Sequence, residues 1–196
     1  TGRLAHENGI LNVWVTAAYI NPEPLREAVS FIDAANIDLK GITDKFYKTV
    51  SKGTLQPVLD AIKIMKEKGV WVELTNLVVP TYNDTTEDFS KLCDWVINNV
   101  GPEVPMHFSR FWPMYQLKNL PPTPEEVLTT ARNTAIAKGI HYAYVGNVPG
   151  HDGNNTYCPV CKNMVIGRRG YMILSYSLNE EGRCKFCNHA IPGRWD

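Results

Sequence analysis

The 196-residue sequence predicts an α/β fold of parallel βα units with a small metal-binding tail at its carboxyl end. Two observations predict the α/β part: short apolar runs rich in β-branched residues alternate with segments of helical periodicity, and the links between them are short. A third observation predicts the tail, because four of the five cysteines follow residue 157 and form two Cys-x-x-Cys pairs. The sequence therefore divides into a first domain, residues 1–150, and a tail, residues 151–196.

Strands and helices alternate throughout the first domain. Residues 11–17 ("LNVWVTA") form an apolar run typical of a buried strand. Residues 54–69 place Val58, Ile62 and Met65 on one face of a helix. The predicted strands cover residues 11–17, 36–41, 70–80, 104–113 and 140–146, and the predicted helices cover residues 24–35, 54–69, 83–101 and 123–139. Five strands and four helices in this order predict an open parallel sheet or part of a barrel.

Capping residues predict where the two longest later helices begin. Asn83 or Asp84 has the side chain to cap the helix over residues 83–101. Thr123, followed by a proline and then by Glu126, is the pattern of a capping box. The helix over residues 123–139 is therefore predicted to start with Thr123 as its N-cap.

Polar residues occur where each predicted strand ends. In parallel βα folds the carboxyl ends of the strands share one edge of the sheet, and functional groups lie there. The polar residues at these ends are Thr16, Asp38, Lys40, Thr75, Asn76, His107, Ser109, Arg110 and Asn147. The sequence therefore predicts a functional face along this edge.

Charge and hydropathy disfavour nucleic acid and membranes as partners. The formal net charge is zero and the isoelectric point is about 6.9, so no long-range field favours nucleic acid or an anionic membrane. The apolar runs are shorter than the roughly 20 residues that a transmembrane helix needs, and the chain opens on no signal peptide. These observations predict a cytoplasmic protein that acts away from membranes.

The cysteines predict one metal site. Cys158 and Cys161 are followed after 22 residues by Cys184 and Cys187, and four such thiolates suit tetrahedral zinc. Disulfides, a rubredoxin-like iron centre and an iron–sulfur cluster are the alternatives, and structural zinc is the favoured interpretation. The segment between the pairs predicts a β-hairpin, so the tail is similar to a zinc ribbon. Cys93, on a helix beside apolar residues, is predicted to be a core residue.

Several strand ends together resemble those of a known enzyme family. The stretches "IDLKG", "VVP…ND", "HFSRFWP" and "YVGNVPGHDGNNTYCPVC" with the final "CKFCNHAIPG" resemble the radical S-adenosylmethionine (SAM) proteins related to pyruvate formate-lyase activating enzyme. The sequence is most similar to the radical SAM member of the AmmeMemoRadiSam system, over nearly the whole chain. The resemblance implies a partial (β/α)6 barrel of the TIM type.

The resemblance also implies cofactors and a reaction. In this family a [4Fe–4S] cluster, held by the three cysteines of a Cys-x3-Cys-x2-Cys loop, binds SAM. Reductive cleavage of SAM gives a 5′-deoxyadenosyl radical, which abstracts hydrogen from a substrate. In the activating enzymes that substrate is a glycine of a partner protein. SAM and a protein substrate are therefore the implied partners, and the sequence itself does not identify the substrate.

Five residues are implied to contact SAM. Asp38 and Lys40 match the "DLK" of the activating enzymes, and an acid and an amine two residues apart on a strand share one face. Thr16 stands where the family usually has Thr-Asn-Gly, although this chain reads "TAA". Thr75 lies where a strand side chain approaches the carboxylate of SAM. Arg110 either binds a carboxylate or stacks on an aromatic ring. No catalytic residue is predicted.

The sequence departs from the family in one decisive respect. It contains no Cys-x3-Cys-x2-Cys motif, and it begins at Thr1 in mid-pattern. We therefore predict that the chain is the carboxyl-terminal part of a radical SAM enzyme and is inactive alone.

A binding module without catalysis is the alternative interpretation. Aromatic residues alternate with basic ones in the tail, a composition that can bind a partner protein or single-stranded nucleic acid. The basic residues are Lys162, Arg168, Arg169, Arg183, Lys185 and Arg194. The first domain lacks basic clustering, so the sequence favours the enzyme and disfavours nucleic acid.

Overall fold

The structure is a computed structural model and describes residues 1–195. Five parallel strands form one sheet in the order β1-β2-β3-β4-β5, and helices connect them. This confirms the predicted α/β fold of parallel βα units. The strands are β1 Val13–Thr16, β2 Ala34–Asp38, β3 Trp71–Val78, β4 Met106–Arg110 and β5 Ala143–Gly146. The helices are α1 Gly2–Glu7, α2 Pro22–Ala28, α3 Asp44–Phe46, α4 Gln56–Glu67, α5 Thr86–Asn99 and α6 Glu125–Lys138.

One face of the sheet holds the main core. Side chains on a strand alternate between two faces, and in β3 every second residue from Val72 to Val78 is buried. These side chains pack against the apolar faces of the helices, as Leu74 and Met65 do within the same buried cluster. We call the opposite face the inner face; its residues are Val13, Val15, Ala34, Asn36, Asp38, Trp71, Glu73, Thr75, Leu77, His107, Ser109, Tyr144 and Gly146.

The helix predicted over residues 24–35 ends earlier than predicted. Helix α2 begins at Pro22, and a single 3-10 turn, Val29–Phe31, follows it. Ala34 and Ala35, which helical spacing placed in the helix, belong to β2 instead. Both alanines fit a strand because they pair in register with β1 and β3. A helical turn that the sequence did not predict, α3 followed by the π-helical Tyr47–Ser51, connects β2 to α4.

Thr85 caps helix α5, so the prediction of Asn83 or Asp84 was wrong. The Thr85 hydroxyl accepts a hydrogen bond from the Asp88 backbone N–H at 3.1 Å. Asn83 is buried and bonds to backbone groups outside helix α5. Its side-chain oxygen accepts a hydrogen bond from the Val79 N–H at 2.6 Å, and its side-chain amide donates to the Lys40 carbonyl at 2.7 Å. The bond to Lys40 joins residues 43 positions apart in the sequence, which a local pattern does not reveal.

Thr123 does not cap helix α6. Its hydroxyl donates to the Val78 carbonyl at 2.6 Å and accepts from the Phe111 N–H at 2.9 Å, which ties the ends of β3 and β4 together. The N-cap position is Pro124, and the helix starts one residue later than predicted. The predicted capping box was therefore wrong, because the Thr123 hydroxyl bonds to the backbone of Val78 and Phe111 and not to the first turn of α6.

The tail forms a second, smaller sheet. Strands β6 Thr156–Tyr157, β7 Met164–Arg169 and β8 Met172–Tyr176 pair antiparallel in the order β6-β7-β8. The β7–β8 pair is the predicted hairpin between the two cysteine pairs. A separate buried cluster includes Cys158, Val165 and Leu178. Asp196, the last residue of the predicted tail, lies outside the described residues. Within residues 1–195, no helix combines the length and apolar character needed to cross a membrane.

Candidate functional site

The inner face carries a row of polar side chains across four strands. Asp38 of β2 pairs in register with Thr75 of β3, Thr75 with His107 of β4, and His107 with Tyr144 of β5. All four side chains are half-buried. Since parallel strands bring their carboxyl ends to one edge, the row lies toward the end of the sheet where the sequence predicted a functional face.

Asp38 and Lys40 form an ion pair at the end of this row. The Lys40 Nζ lies 2.8 Å from Asp38 Oδ2, and about a third of each side chain is exposed, 34% and 35%. Such a half-exposed pair contributes under about 1 kcal/mol to folding stability. It keeps one acid and one amine accessible together, which is the arrangement needed to bind a zwitterionic amino-acid group.

Thr75 shares the inner face with this pair. Its hydroxyl donates a hydrogen bond to the side-chain oxygen of Asn36 at 2.8 Å. Asn36 lies two residues before Asp38 on the same strand and therefore on the same face. The structure thus brings Asp38, Lys40 and Thr75 to one surface.

Thr16 and Arg110 lie on the other side of the sheet. Thr16 pairs with Ile37, whose side chain is fully buried among the helices, and the Thr16 hydroxyl accepts from the Ala18 N–H at 3.0 Å. Arg110 pairs with Val78, which is also buried on the helix side. The structure therefore does not bring either residue together with Asp38, and their role in binding SAM stays a prediction.

Arg110 makes both kinds of contact that its sequence context suggested. Its Nη1 lies 3.1 Å from the Glu125 carboxylate, and its guanidinium carbon lies 4.6 Å from the centre of the Trp112 ring. Its Nε donates to the Thr123 carbonyl at 2.9 Å. These contacts tie the end of β4 to the start of α6.

Sequence reasoning missed a second pair on the inner face. The His107 Nε2 lies 2.8 Å from Glu73 Oε2, and the Trp71 indole N–H donates to Glu73 Oε1 at 3.1 Å. Burial is the largest single influence on the Glu73 carboxyl, and it raises the pKa. The hydrogen bonds from His107 and Trp71, together with the charges of His107 and Arg168, outweigh burial, so the pKa of Glu73 is lowered. Spacing could have placed Glu73 on this face, because residues 71, 73 and 75 of a strand point to the same side.

The tail lies against the inner face of the sheet. The His107 ring stacks on the Tyr144 ring with centroids 5.0 Å apart, and the Tyr144 hydroxyl lies 3.0 Å from the hydroxyl of Thr156 in β6. Arg168 of β7 donates to that Thr156 hydroxyl at 2.6 Å. A cleft of about 1230 Å³ lies between the inner face and the tail. The tail therefore forms one wall of this cleft, whose lining includes Thr75, Glu73 and His107 but neither Asp38 nor Lys40.

The four tail cysteines converge as the spacing predicted. Their Sγ atoms all lie within 4.8 Å of one another, with Cys158 to Cys187 at 3.5 Å and Cys161 to Cys184 at 3.6 Å. Four sulfurs bonded to one zinc at about 2.3 Å in a tetrahedron would be about 3.8 Å apart. The cysteines are unpaired as disulfides. This donor set fits one tetrahedral metal ion, and the choice between zinc and iron stays a prediction.

Cys93 is buried in the main core, on the helix side of the sheet. Burial, reinforced by the charge of Asp94, raises the pKa of the thiol to about 12. At pH 8 far less of this thiol is ionised than of an exposed cysteine.

We therefore expect Cys93 to resist alkylation. In the metal-loaded protein at pH 8, iodoacetamide should modify Cys93 at least 100-fold more slowly than in the urea-unfolded protein, as read by peptide mass spectrometry. Modification at the same rate in both states would contradict the core assignment.

The comparison with curated proteins found a related sequence. No protein-family model matches the chain. The uncharacterized protein MJ0808 of Methanocaldococcus jannaschii is 49% identical over 192 residues, which are 97% of this chain and 57% of that protein. The chain thus spans 57% of the length of this curated relative.

Solved structures that share the fold of this chain include radical SAM proteins. A domain of pyruvate formate-lyase-activating enzyme from Bacteroides vulgatus superposes with a TM-score of 0.60 at 15% identity, covering 72% of this chain and 84% of that one. A radical SAM methyltransferase from Sphaerobacter thermophilus gives 0.59 at 13%, covering 78% and 48%. Streptococcus suis SuiB bound to S-adenosylmethionine gives 0.55 at 12%, covering 74% and 33%. The chain therefore has the fold of the radical SAM partial barrel.

Proposed function

We propose that this chain is part of a radical SAM enzyme of the activating-enzyme type. The complete protein would cleave SAM reductively and use the resulting 5′-deoxyadenosyl radical to abstract hydrogen from its substrate. The observation that carries this proposal is the Asp38–Lys40 pair, which lies with Thr75 on the inner face of a radical SAM fold. The narrower resemblance to the AmmeMemoRadiSam subgroup is part of the same proposal.

The residues of this chain would bind and orient the methionine part of SAM. Its ammonium group matches the carboxylate of Asp38, and its carboxylate matches the amine of Lys40 and the hydroxyl of Thr75. Since the Asp38–Lys40 pair is half-exposed, separating it to admit a ligand costs little free energy. The attraction between Asp38 and Lys40 is then replaced by the attraction of each to the opposite charge of the ligand.

The residues of this chain do not fit a [4Fe–4S] cluster in the barrel. A cluster that binds SAM needs three neighbouring thiolates, whereas residues 1–150 contain only Cys93, which is buried among the helices. The four tail thiolates suit a single ion instead. A cluster would therefore come from the part of a longer protein that this chain does not cover, and the chain alone is expected to be inactive.

The metal in the tail has a structural role in this proposal. Four thiolates saturate a tetrahedral zinc ion and leave no open position for a substrate. The ion would hold the tail against the inner face, where Thr156 and Arg168 meet Tyr144. We favour zinc on the chemistry of the four cysteines and a cytoplasmic location on their expected reduced state.

SAM binding by the complete, iron-reconstituted protein tests the proposal. Asp38→Asn and Lys40→Gln should each weaken SAM binding about tenfold, equivalent to about 1.4 kcal/mol, because each removes one of two charges that match the ligand. Equilibrium dialysis with labelled SAM measures the affinity, and 5′-deoxyadenosine formation under reducing conditions measures cleavage.

A matched ion pair on the surface provides the control. Lys91 and Glu87 lie 2.6 Å apart on the exposed face of α5, so Lys91→Gln and Glu87→Gln should leave SAM affinity within twofold of wild type. Wild-type affinity in both inner-face variants, or absence of 5′-deoxyadenosine from the wild-type protein, would overturn the proposed function.

A further inference from the structure

Three planar groups stack from the inner face to the tail. The His107 and Tyr144 rings lie 5.0 Å apart with 20° between their planes. The guanidinium carbon of Arg168 lies 6.0 Å from the centre of the Tyr144 ring. An arginine over an aromatic ring gains a cation–π attraction and loses rotational freedom. Arg168 is therefore fixed over the sheet although it belongs to the tail.

Hydrogen bonds fix Arg168 further without using all its donors. Its Nη1 donates to the Thr156 hydroxyl at 2.6 Å and approaches the Asn154 carbonyl at 3.4 Å. Its backbone N–H donates to the side-chain oxygen of Asn155 at 2.8 Å. Within residues 1–195, its Nε and Nη2 make no hydrogen bond. A guanidinium offers five donors in a rigid fork, so the unused edge is available to a ligand.

The two acids that line the cleft already have partners. Glu73 accepts from Trp71 and is paired with His107. Asp33 accepts from the Asn12 N–H at 2.7 Å and lies 3.7 Å from His6. No ion pair within residues 1–195 includes Arg168. The charge of Arg168 acts on Glu73 and helps to lower the pKa of that carboxyl, but a half-buried guanidinium with no carboxylate at ion-pair distance still favours an anion beside it.

The rest of the cleft is mostly apolar and far larger than an ion. Val13 and Val15 of β1 are 64% and 83% exposed on its floor, and Trp71 and Trp195 lie along its sides. Two buried polar atoms of its lining, the Tyr142 hydroxyl and the Asn154 Oδ1, have no hydrogen-bond partner within residues 1–195. A volume of about 1230 Å³ accommodates an organic molecule.

We propose that the cleft between the inner face and the tail binds an organic oxyanion, whose carboxylate or phosphate group is held by Arg168 and whose apolar part lies against Trp71 and Val15. If the proposed radical SAM function is correct, this oxyanion is the substrate or part of it. The binding itself does not depend on SAM or on a cluster. The tail would then select the ligand as well as cover the sheet.

Benzoate, its neutral analogue benzamide and inorganic phosphate are the probes. Each is titrated into the metal-loaded, full-length protein without SAM, and the NMR signals of the Trp71 indole N–H and the Arg168 Nε–H report binding. We expect benzoate to bind at least tenfold more tightly than benzamide, since only benzoate has the charge for the guanidinium. Competition by phosphate, and its strength relative to benzoate, identifies which oxyanion the site prefers.

Arg168→Gln should weaken benzoate binding at least tenfold. Arg169→Gln is the matched control, because Arg169 is the next residue of β7 and exposed, and it should stay within twofold of wild type. Arg168→Lys keeps the charge but loses the fork, so a loss of at least threefold is expected even if the glutamine variant fails to fold.

Equal binding of benzoate and benzamide, or wild-type benzoate affinity in Arg168→Lys and Arg168→Gln, would overturn the oxyanion site. Failure of the proposed function looks different. In that case Asp38→Asn leaves SAM affinity unchanged while benzoate binding and its dependence on Arg168 persist.

Discussion

Removal of the metal is expected to unfold the tail while the five-stranded sheet stays folded. The tail's own buried residues are few, namely Val165, Ile166, Leu178 and Ile191 with Cys158 and Cys184, and they cluster with Tyr142 of the first domain. A segment of this size buries too little apolar surface to offset its conformational entropy. The metal supplies the difference, since structural zinc contributes about 10–16 kcal/mol in isolated zinc-finger peptides near pH 7.

The main core has no comparable dependence on metal. It extends from Ala18 to Val148 and includes no metal-ligand candidate. After treatment with a strong chelator, hydrogen exchange should become fast at the amides of β7 and β8 while those of β3 and β4 stay protected. Metal analysis of the untreated 196-residue chain should give one zinc per chain and no labile sulfide; four irons with labile sulfide in this chain would overturn the tail assignment.

Cysteine substitution separates metal loss from general damage. Cys184→Ser removes one of the four ligands and should abolish metal binding and tail protection together. Cys93→Ala changes a buried cysteine outside the cluster and should lower overall stability while leaving one metal per chain. Retained protection of β7 in the chelated protein would show that the tail folds without metal.

The fold was predictable from the sequence because its signals are local. The apolar run of β3 and the helical face of α4 are each visible within a dozen residues, and the parallel order follows from their alternation. The cysteine pairs were equally clear, because two Cys-x-x-Cys turns leave few arrangements for the sulfurs. The resemblance identified Asp38, Lys40 and Thr75, which the structure brings to one face.

Other parts of the site depend on contacts that sequence order hides. Thr16 and Arg110 lie at strand ends as predicted, but register places them on the helix side, and a shift of one residue changes the face. Glu73 and His107 are 34 residues apart. Their neighbour Arg168 comes from the tail, so no local pattern links the three.

Asn83 connects the predicted SAM face to the core, and Asn83→Ala is expected to destabilise the fold by about 2–3 kcal/mol. The residue is 5% exposed. Its amide donates to the carbonyls of Lys40 and Leu77, and its side-chain oxygen accepts from the Val79 N–H. Alanine would leave those buried backbone groups without partners, and each unsatisfied group costs about 1–3 kcal/mol before relaxation or water entry reduces the total.

The same substitution should also disturb the Asp38–Lys40 pair, because the Asn83 amide holds the Lys40 backbone 2.7 Å away. Urea unfolding measures the loss of stability, and SAM affinity of the complete protein at low temperature, where the variant is folded, measures the positioning effect. Asn99→Ala is the control, since the exposed Asn99 amide only bonds the Trp95 carbonyl within its own helix, and a cost below about 0.5 kcal/mol is expected. Equal stability of the two variants would contradict the role assigned to Asn83. A destabilised Asn83→Ala that binds SAM with wild-type affinity would restrict that role to folding, because the loop carrying Lys40 would then keep its position without the amide.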